Sequence, residues 1–192
     1  MQIDLPPQLQ ERVACSIAAA VKYGIPANIL LAVAEKEGGK AGQWVRNNNG
    51  TYDVGPLQFN TAYLRQLSRY GITPGDVASG GCYPYDLAAW RLRQHIRQDG
   101  GDLWTRCANY HSRTPLINRT YRADLVRKSV YWADWLAARY PADAFSSTLA
   151  PVARGFGERV AAPIKSSMQI SSGAIDLRKS YVPRTLVGGR GP

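Results

Sequence analysis

Glu37 is the first residue whose type and position in the sequence suggest a catalytic role. Leu30, Val33, Ala34 and Glu37 follow one another at i, i+3, i+4 and i+7, the spacing of one face of an α-helix. Burial and the negative end of the helix dipole both raise the pKa of a carboxyl group there. A glutamate that stays partly protonated near neutrality serves as a general acid. Spacing alone also allows a glutamate at the helix rim that reaches solvent, so both interpretations stay open.

Two further motifs follow Glu37 in a fixed order. Gln58 lies 21 positions later, in Gly55-Pro56-Leu57-Gln58-Phe59-Asn60. Asn109-Tyr110-His111-Ser112 comes next, at the expected end of a helix.

At this point the sequence resembles the lysozyme-like lytic transglycosylases of family-1 type. It is similar to the branch that serves type IV secretion, conjugation and type IV pili. The family pattern is an alanine-rich helix ending in Glu-Ser-Gly, then Gly-Leu-Met-Gln, then Ala-Tyr-Asn. The branch version, Asn-Gly-Thr-Tyr-Asp-x-Gly-x-x-Gln-x-Asn, matches Asn49 to Asn60. The resemblance runs from about Glu11 to Tyr140 and keeps the order of the motifs.

The resemblance implies roles for particular residues. Glu37 takes the position of the single catalytic acid and base, Gln58 that of the glutamine in the cleft, and Tyr110 that of the tyrosine near the scissile bond. His111 stands where the general family has asparagine, and is either a hydrogen-bonding group of the site or a residue that ends a helix. Asn60 is either a substrate contact or the N-cap of the next helix.

The chain also departs from the family pattern. Gly38 replaces the usual serine, and Pro56-Leu57 replaces Leu-Met. These changes leave the acid in place and fall at positions that the resemblance connects with the fine positioning of substrate. Asp53 is interpreted as ordering its turn rather than as a second catalytic carboxylate. Trp44 and Tyr63 are candidates for stacking on sugar rings. Three other tryptophans fall on helix faces and are assigned to the core: Trp90, Trp132 and Trp135.

The implied activity is cleavage of the β-1,4 bond between N-acetylmuramic acid and N-acetylglucosamine in peptidoglycan, with a 1,6-anhydro product. It needs no cofactor and no metal. Such an enzyme opens the cell wall locally for a secretion, conjugation or pilus apparatus. The alternatives are a hydrolytic lysozyme or phage lysin on the same fold, and a non-catalytic adaptor that binds murein.

Prolines at helix starts and glycines at helix ends predict the secondary-structure elements that position these residues. We expect a mainly α, lysozyme-like domain over residues 1–145, with a short irregular or β-hairpin segment between Trp44 and Asn60. The first helix should run through Val13, Ile17, Ala18 and Val21 and stop at Gly24. Further helices are predicted over 28–37, 61–70, a short segment from 74, 86–98, a segment capped by Asp102, and 115–140.

The tail and the net charge bear on partners. The chain carries 24 basic and 14 acidic residues, a net charge of +10. Residues 146–192 are rich in Ser, Gly, Pro and Arg, and are predicted to be a basic, poorly ordered tail that contacts components of a type IV secretion or pilus machine. The sequence is basic but contains no recognisable nucleic-acid-binding motif, so nucleic acid is not an expected partner. No window is long and apolar enough for a transmembrane segment.

Cysteine usage bears on the compartment. The three cysteines, Cys15, Cys82 and Cys107, show no metal-binding spacing, and on count alone one disulfide or three reduced thiols are equally compatible. The resemblance implies a disulfide between Cys15 and Cys82, as in exported family members. The N-terminus has no signal-peptide pattern. We therefore expect a periplasmic protein whose export signal is absent from this chain.

Overall fold

The computed structural model describes residues 5–140, and it is mainly helical, as the sequence predicts. Seven α-helices and a three-stranded sheet are found within these residues. The helices are α1 (Pro7–Tyr23), α2 (Ala27–Glu37), α3 (Thr61–Leu67), α4 (Pro74–Ala78), α5 (Tyr83–Gln98), α6 (Leu103–Ala108) and α7 (Pro115–Arg139). The strands are β1 (Trp44–Arg46), β2 (Tyr52–Val54) and β3 (Phe59–Asn60). The predicted boundary at residue 145 and the predicted tail, 146–192, lie outside the described residues.

The described residues up to Asp134 pack together as one compact unit. The last turns of α7, Trp135–Tyr140, belong to a second unit and are held by local contacts, including the Arg139 guanidinium 4.2 Å from the Trp135 ring centroid. No helix within residues 5–140 combines the length and the apolarity that crossing a membrane requires.

Helix α1 begins and ends where the sequence predicts, but its buried face is different. Pro7 lies in the first turn of the helix, and Gly24 ends the helix in the left-handed region at φ 59°. Val13 is buried as expected, whereas Val21 is 77% exposed. Small residues such as Ala19 and Ala20 face the core instead, because they let α1 approach α2 and α5 closely.

Helix α2 forms the centre of the core. Leu30, Val33 and Ala34 are fully buried, which confirms the predicted stripe. Gly38 takes the left-handed conformation at φ 62° and its N–H donates to Ala34 O at 3.2 Å, which ends the helix. Glu37 is therefore the last residue of α2 and continues a stripe that is buried up to that point.

The segment after α2 is more regular than predicted. A hairpin is present, but a third short strand extends it, so β1, β2 and β3 form an antiparallel sheet in that order. Val45 pairs with Asp53, and Asp53 pairs with Asn60. Strands of two or three residues are too short to show alternation in a sequence, which explains why β3 was not predicted.

Contacts between α1 and α5 fix the framework on the other side of α2. Lys22 Nζ lies 2.8 Å from Asp86 Oδ1, and the Tyr23 hydroxyl donates to Asp86 Oδ2 at 3.0 Å. A disulfide joins Cys15 of α1 to Cys82 at the start of α5, with 4.8 Å between the Cα atoms. Helix α5 begins at Tyr83, three residues before its predicted start, because Pro84 occupies its first turn.

We expect loss of the disulfide to lower the free energy of unfolding by about 4 kcal/mol, because the bridge closes a loop of 67 residues in the unfolded chain. The measurement is guanidinium denaturation of the Cys15→Ala/Cys82→Ala variant beside oxidised wild type. Reduced wild-type protein serves as the control and should resemble the variant. A variant as stable as oxidised wild type would contradict the prediction.

Candidate functional site

Glu37 is held between two helices. It ends α2, and the hydroxyl of Tyr121 on α7 donates to its Oε1 at 2.7 Å. Burial raises the pKa of Glu37 to about 7, opposed by the Tyr121 hydrogen bond and by the positive charges of Arg91 and Lys36, while Asp53 adds to the rise. Near neutral pH the side chain is therefore present both as acid and as carboxylate. The interpretation of Glu37 as a solvated rim residue does not fit this environment.

A cavity of about 490 Å³ lies beside Glu37. We call it the acid groove; it is lined by Lys36, Glu37, His111, Leu116, Ile117, Thr120 and Tyr121. Leu116 and Ile117 are 65% and 47% exposed, so the groove presents apolar surface beside a titratable acid. This combination suits a ligand with apolar faces and a polar bond to be protonated.

Polar contacts fix α7 against α2 and so fix the acid. Glu35 accepts from Trp132 Nε1 at 2.7 Å and forms an ion pair with Lys128. One turn before Lys128 in α7, Asp124 lies 2.8 Å from Lys36 Nζ. The helices therefore meet through neighbouring polar contacts, of which the one between Glu37 and Tyr121 adjoins the groove.

His111 lines the acid groove, a position that its interpretation as a hydrogen-bonding group of the site requires. Its ring stacks on the Tyr121 ring with 4.7 Å between centroids and 6° between planes. Burial lowers the pKa of His111, and the charge of Lys36 acts in the same direction. The imidazole therefore supports the tyrosine that contacts the acid, and a direct substrate contact by His111 stays a prediction.

Gln58 lies against the turn that follows α2. It has φ +48°, the left-handed region that residues other than glycine rarely adopt, and its Nε2 donates to Gly55 O at 2.8 Å. A Cβ on Gly39 would stand 2.1 Å from Gly55 O and 2.6 Å from Gln58 Nε2. Gly39 thus allows the Gln58 turn to pack beside the end of α2, and substrate contact by Gln58 stays a prediction.

Tyr110 is buried beneath the site rather than exposed in it. Only 2% of it is accessible, and its hydroxyl donates to Leu57 O at 3.2 Å. Burial raises its pKa. The Arg91 guanidinium lies 4.5 Å from the Tyr110 ring centroid and donates to Tyr110 O at 2.8 Å. Tyr110 therefore fixes Arg91 and the Leu57 backbone, and its predicted substrate contact stays untested.

Asn60 has the capping role that was one of its two interpretations. Its Oδ1 accepts from Ala62 N at 2.9 Å at the start of α3. Its amide nitrogen donates to Thr51 Oγ1 at 2.9 Å and to Asp53 Oδ1 at 2.8 Å, which uses both amide hydrogens. Asp53 accordingly orders the turn, and a role for Asn60 in substrate contact stays a prediction.

The aromatic residues differ in their access to a ligand. Trp44 is 49% exposed on β1, beside Tyr52 with 6.0 Å between ring centroids. Tyr63 contacts Phe59 and the Arg91 guanidinium, which lies 4.3 Å from its centroid. Trp132 is 3% exposed, which confirms its assignment to the core. Trp44 is therefore the better placed of the two stacking candidates.

Sequence reasoning missed two residues that act on Glu37, namely Tyr121 and Arg91. Tyr121 precedes Leu125 by four positions and Trp132 by eleven, which places all three on the buried face of α7. That spacing could have predicted that Tyr121 faces the core, although it could not have predicted that the tyrosine contacts Glu37 in α2. For Arg91, the sequence offers no signal beyond an arginine on a helix.

No cluster of potential metal ligands occurs in the described part of the chain. Cys107 is buried with a free thiol, and burial raises its pKa to about 12. It is therefore unsuited to act as a nucleophile near neutral pH.

The fold and the site define a mainly helical protein with a carboxylic acid of raised pKa beside an open groove. No protein-family model matches the chain. Protein IpgF of Shigella flexneri is 32% identical over 104 residues, which cover 54% of this chain and 68% of IpgF. Protein IpgF of Shigella sonnei matches with the same identity and coverage. The chain belongs to the same family as IpgF.

The raised pKa of Glu37 predicts how stability depends on pH. Because the folded pKa is about 7 and the ordinary value is 4.5, the folded state binds the proton more tightly, and wild-type protein loses stability as the pH rises between these values. Relative to wild type, Glu37→Gln should therefore gain stability with pH: we expect the difference in free energy of unfolding to be about 3 kcal/mol larger at pH 8 than at pH 4. Urea denaturation at both pH values measures this. An equal difference at the two pH values would contradict it.

Removing the Tyr121 hydroxyl should raise the pKa of Glu37 above its value in wild type, because the hydrogen bond stabilises the carboxylate. The measurement is a titration of the Glu37 carboxyl carbon by NMR in Tyr121→Phe, with the resonance assigned from Glu37→Gln. Tyr131→Phe, at an exposed tyrosine on the same helix, is the matched control. A pKa that stays unchanged or falls in Tyr121→Phe would show that the hydroxyl does not act on the acid.

Proposed function

We propose that this protein is a peptidoglycan lytic transglycosylase, which cleaves the β-1,4 bond between N-acetylmuramic acid and N-acetylglucosamine and forms a 1,6-anhydro product. The observation that carries the proposal is the state of Glu37: one partly protonated acid at the end of a buried helix, hydrogen-bonded to Tyr121 and lining the acid groove. The motif resemblance around Glu37, Gln58 and Tyr110 supports the choice of substrate.

In the first step Glu37 is the general acid. Tyr121 donates to Oε1, so Oε2 is the oxygen that carries the proton toward the glycosidic oxygen. As that oxygen accepts the proton, its bond to the anomeric carbon of the muramic acid breaks, and an oxocarbenium-like state develops. The 2-acetamido group of the sugar can assist at the anomeric carbon. Glu37 is left as the carboxylate, which the Tyr121 hydroxyl and the charges of Arg91 and Lys36 stabilise.

In the second step the same carboxylate is the base. It takes the proton of the 6-hydroxyl, and O6 bonds to the anomeric carbon to close the 1,6-anhydro ring. The proton returned to Glu37 restores the acid, so the cycle needs no water and no second carboxylate. A pKa of about 7 suits both halves of this cycle, because neither protonation state is strongly disfavoured at neutral pH.

Asp53 bears on the hydrolytic alternative. Its charge contributes to the raised pKa of Glu37, so it lies near the acid, as a second carboxylate would in a lysozyme. However, Asp53 Oδ1 accepts from Asn60, and Asp53 pairs with its neighbours on both sides of the sheet. A structural role for Asp53 favours the mechanism with one acid.

The wider role we propose is local opening of the cell wall for a secretion, conjugation or pilus apparatus, in the periplasm. The disulfide between Cys15 and Cys82 supports an oxidising compartment. The proposed contact with components of the apparatus falls to residues 146–192, outside the described residues.

We expect Glu37→Gln to slow the release of muropeptides from purified sacculi by at least about a hundredfold, because the amide can neither donate nor reclaim the proton. Glu11→Gln, at an exposed glutamate of α1 outside the acid groove, is the matched control and should keep activity. Mass spectrometry should find 1,6-anhydro ends on the wild-type products.

Three results would contradict the proposal in different ways. Wild-type release from Glu37→Gln would remove the acid assignment. Reducing ends in place of anhydro ends would make the protein a hydrolase. Binding to sacculi without any released product from the wild type would make it an adaptor.

A further inference from the structure

A second cavity adjoins the acid groove across the start of α7. It measures about 490 Å³, and its lining includes Arg113, Arg119 and Arg122 together with Pro115, Leu116 and Asn118. We call it the arginine pocket. Leu116 lines both cavities, so the two are neighbours separated by one side chain.

The helical period explains this arrangement. Pro115, Asn118, Arg119 and Arg122 recur at spacings of three and four, which places them on one face of α7. Ile117, Thr120 and Tyr121 lie on the other side of the helix, toward Glu37. A ligand that crosses α7 at Leu116 therefore meets the acid on one side and the arginines on the other.

Two of the three guanidinium groups are anchored through a single nitrogen. Arg122 Nη1 donates to Thr105 Oγ1 at 2.6 Å and lies 3.3 Å from Asp102 Oδ2. Arg113 Nη2 lies 3.0 Å from Asp99 Oδ1. Each guanidinium has five N–H donors in a fixed fork, so these anchors orient the group and leave donors for an incoming anion.

Arg119 gives the pocket an excess of positive charge. Within residues 5–140, no carboxylate forms an ion pair with it, whereas Arg113 and Arg122 have Asp99 and Asp102. Asn118 does not compete for a ligand, because its Nδ2 donates to Thr105 O and Asn109 Oδ1 at 3.0 and 2.7 Å. The three arginines therefore form a site for a carboxylate, which pairs with guanidinium in planar geometry.

We propose that the arginine pocket binds a carboxylate of the stem peptide carried by the muramic acid residue, while the glycan occupies the acid groove. This inference rests on the proposed function and deepens it, since it makes a peptide-bearing strand the substrate. The lactyl group holds the peptide beside the sugar, so a peptide chain crossing Leu116 is the part of the substrate that reaches the arginines.

The test is binding of soluble ligands by the full chain carrying Glu37→Gln, measured by calorimetry. The ligands are a disaccharide-peptide muropeptide, the same muropeptide with its peptide carboxylates amidated, and inorganic phosphate. We expect the free muropeptide to bind more tightly than the amidated one. Arg119→Gln should weaken binding of the free muropeptide by about fivefold, and Arg119→Glu by more. Binding of the amidated muropeptide should not change.

Arg65→Glu, an equal change of net charge at an exposed position of α3 outside both cavities, is the matched control. Equal affinity for the free and amidated muropeptides, or no effect of Arg119→Glu, would overturn the proposal. Binding of phosphate at Arg119 without carboxylate-dependent binding of the muropeptide would also overturn it. Failure of the proposed function gives a different result, in which carboxylate-dependent binding persists but wild-type protein releases nothing from sacculi.

Discussion

The structure around the site depends on one hydrogen bond, from the Tyr121 hydroxyl to Glu37 Oε1. A carboxyl group at the end of a buried helix is costly to ionise, because desolvation and the helix dipole both disfavour its charge. The tyrosine, with the charges of Arg91 and Lys36, offsets part of that cost and keeps the pKa of Glu37 near 7. Without these groups burial would hold the acid protonated, and it could not act as a base.

That hydrogen bond requires α7 to lie against α2 in one register. Asn28 Nδ2 donates to Ser129 O at 3.1 Å at one end of the contact, and the Glu35 and Lys36 ion pairs hold its middle. On the opposite side of Glu37, Gly39 allows the Gln58 turn to approach the end of α2. The acid is thus fixed by a helix from the C-terminal half of the described chain and by a turn of the sheet.

Local patterns predicted the parts of this arrangement that are local. The α2 stripe, the glycine that ends the helix, and the cap at Asn60 each depend on residues within one or two turns. The sequence could not reveal that Tyr121 meets Glu37, because 84 positions separate them and only the packing of α7 joins them. The exposure of Val21 also depends on packing between helices. The face of α1 that is buried is the one whose small residues allow close packing, rather than the more hydrophobic one.

The start of α7 links the chemistry to the recognition that we propose. Asn118 is 5% exposed, and its three donor contacts reach α6 and the loop before α7, so the rotation of the helix about its axis is fixed there. A change in that rotation would move Tyr121 away from Glu37 and Arg119 away from its pocket together, because both project from the same two turns. One helix therefore sets both the protonation state of the acid and the position of the arginines. In the function that we propose, a substrate held at one face would be aligned for reaction at the other.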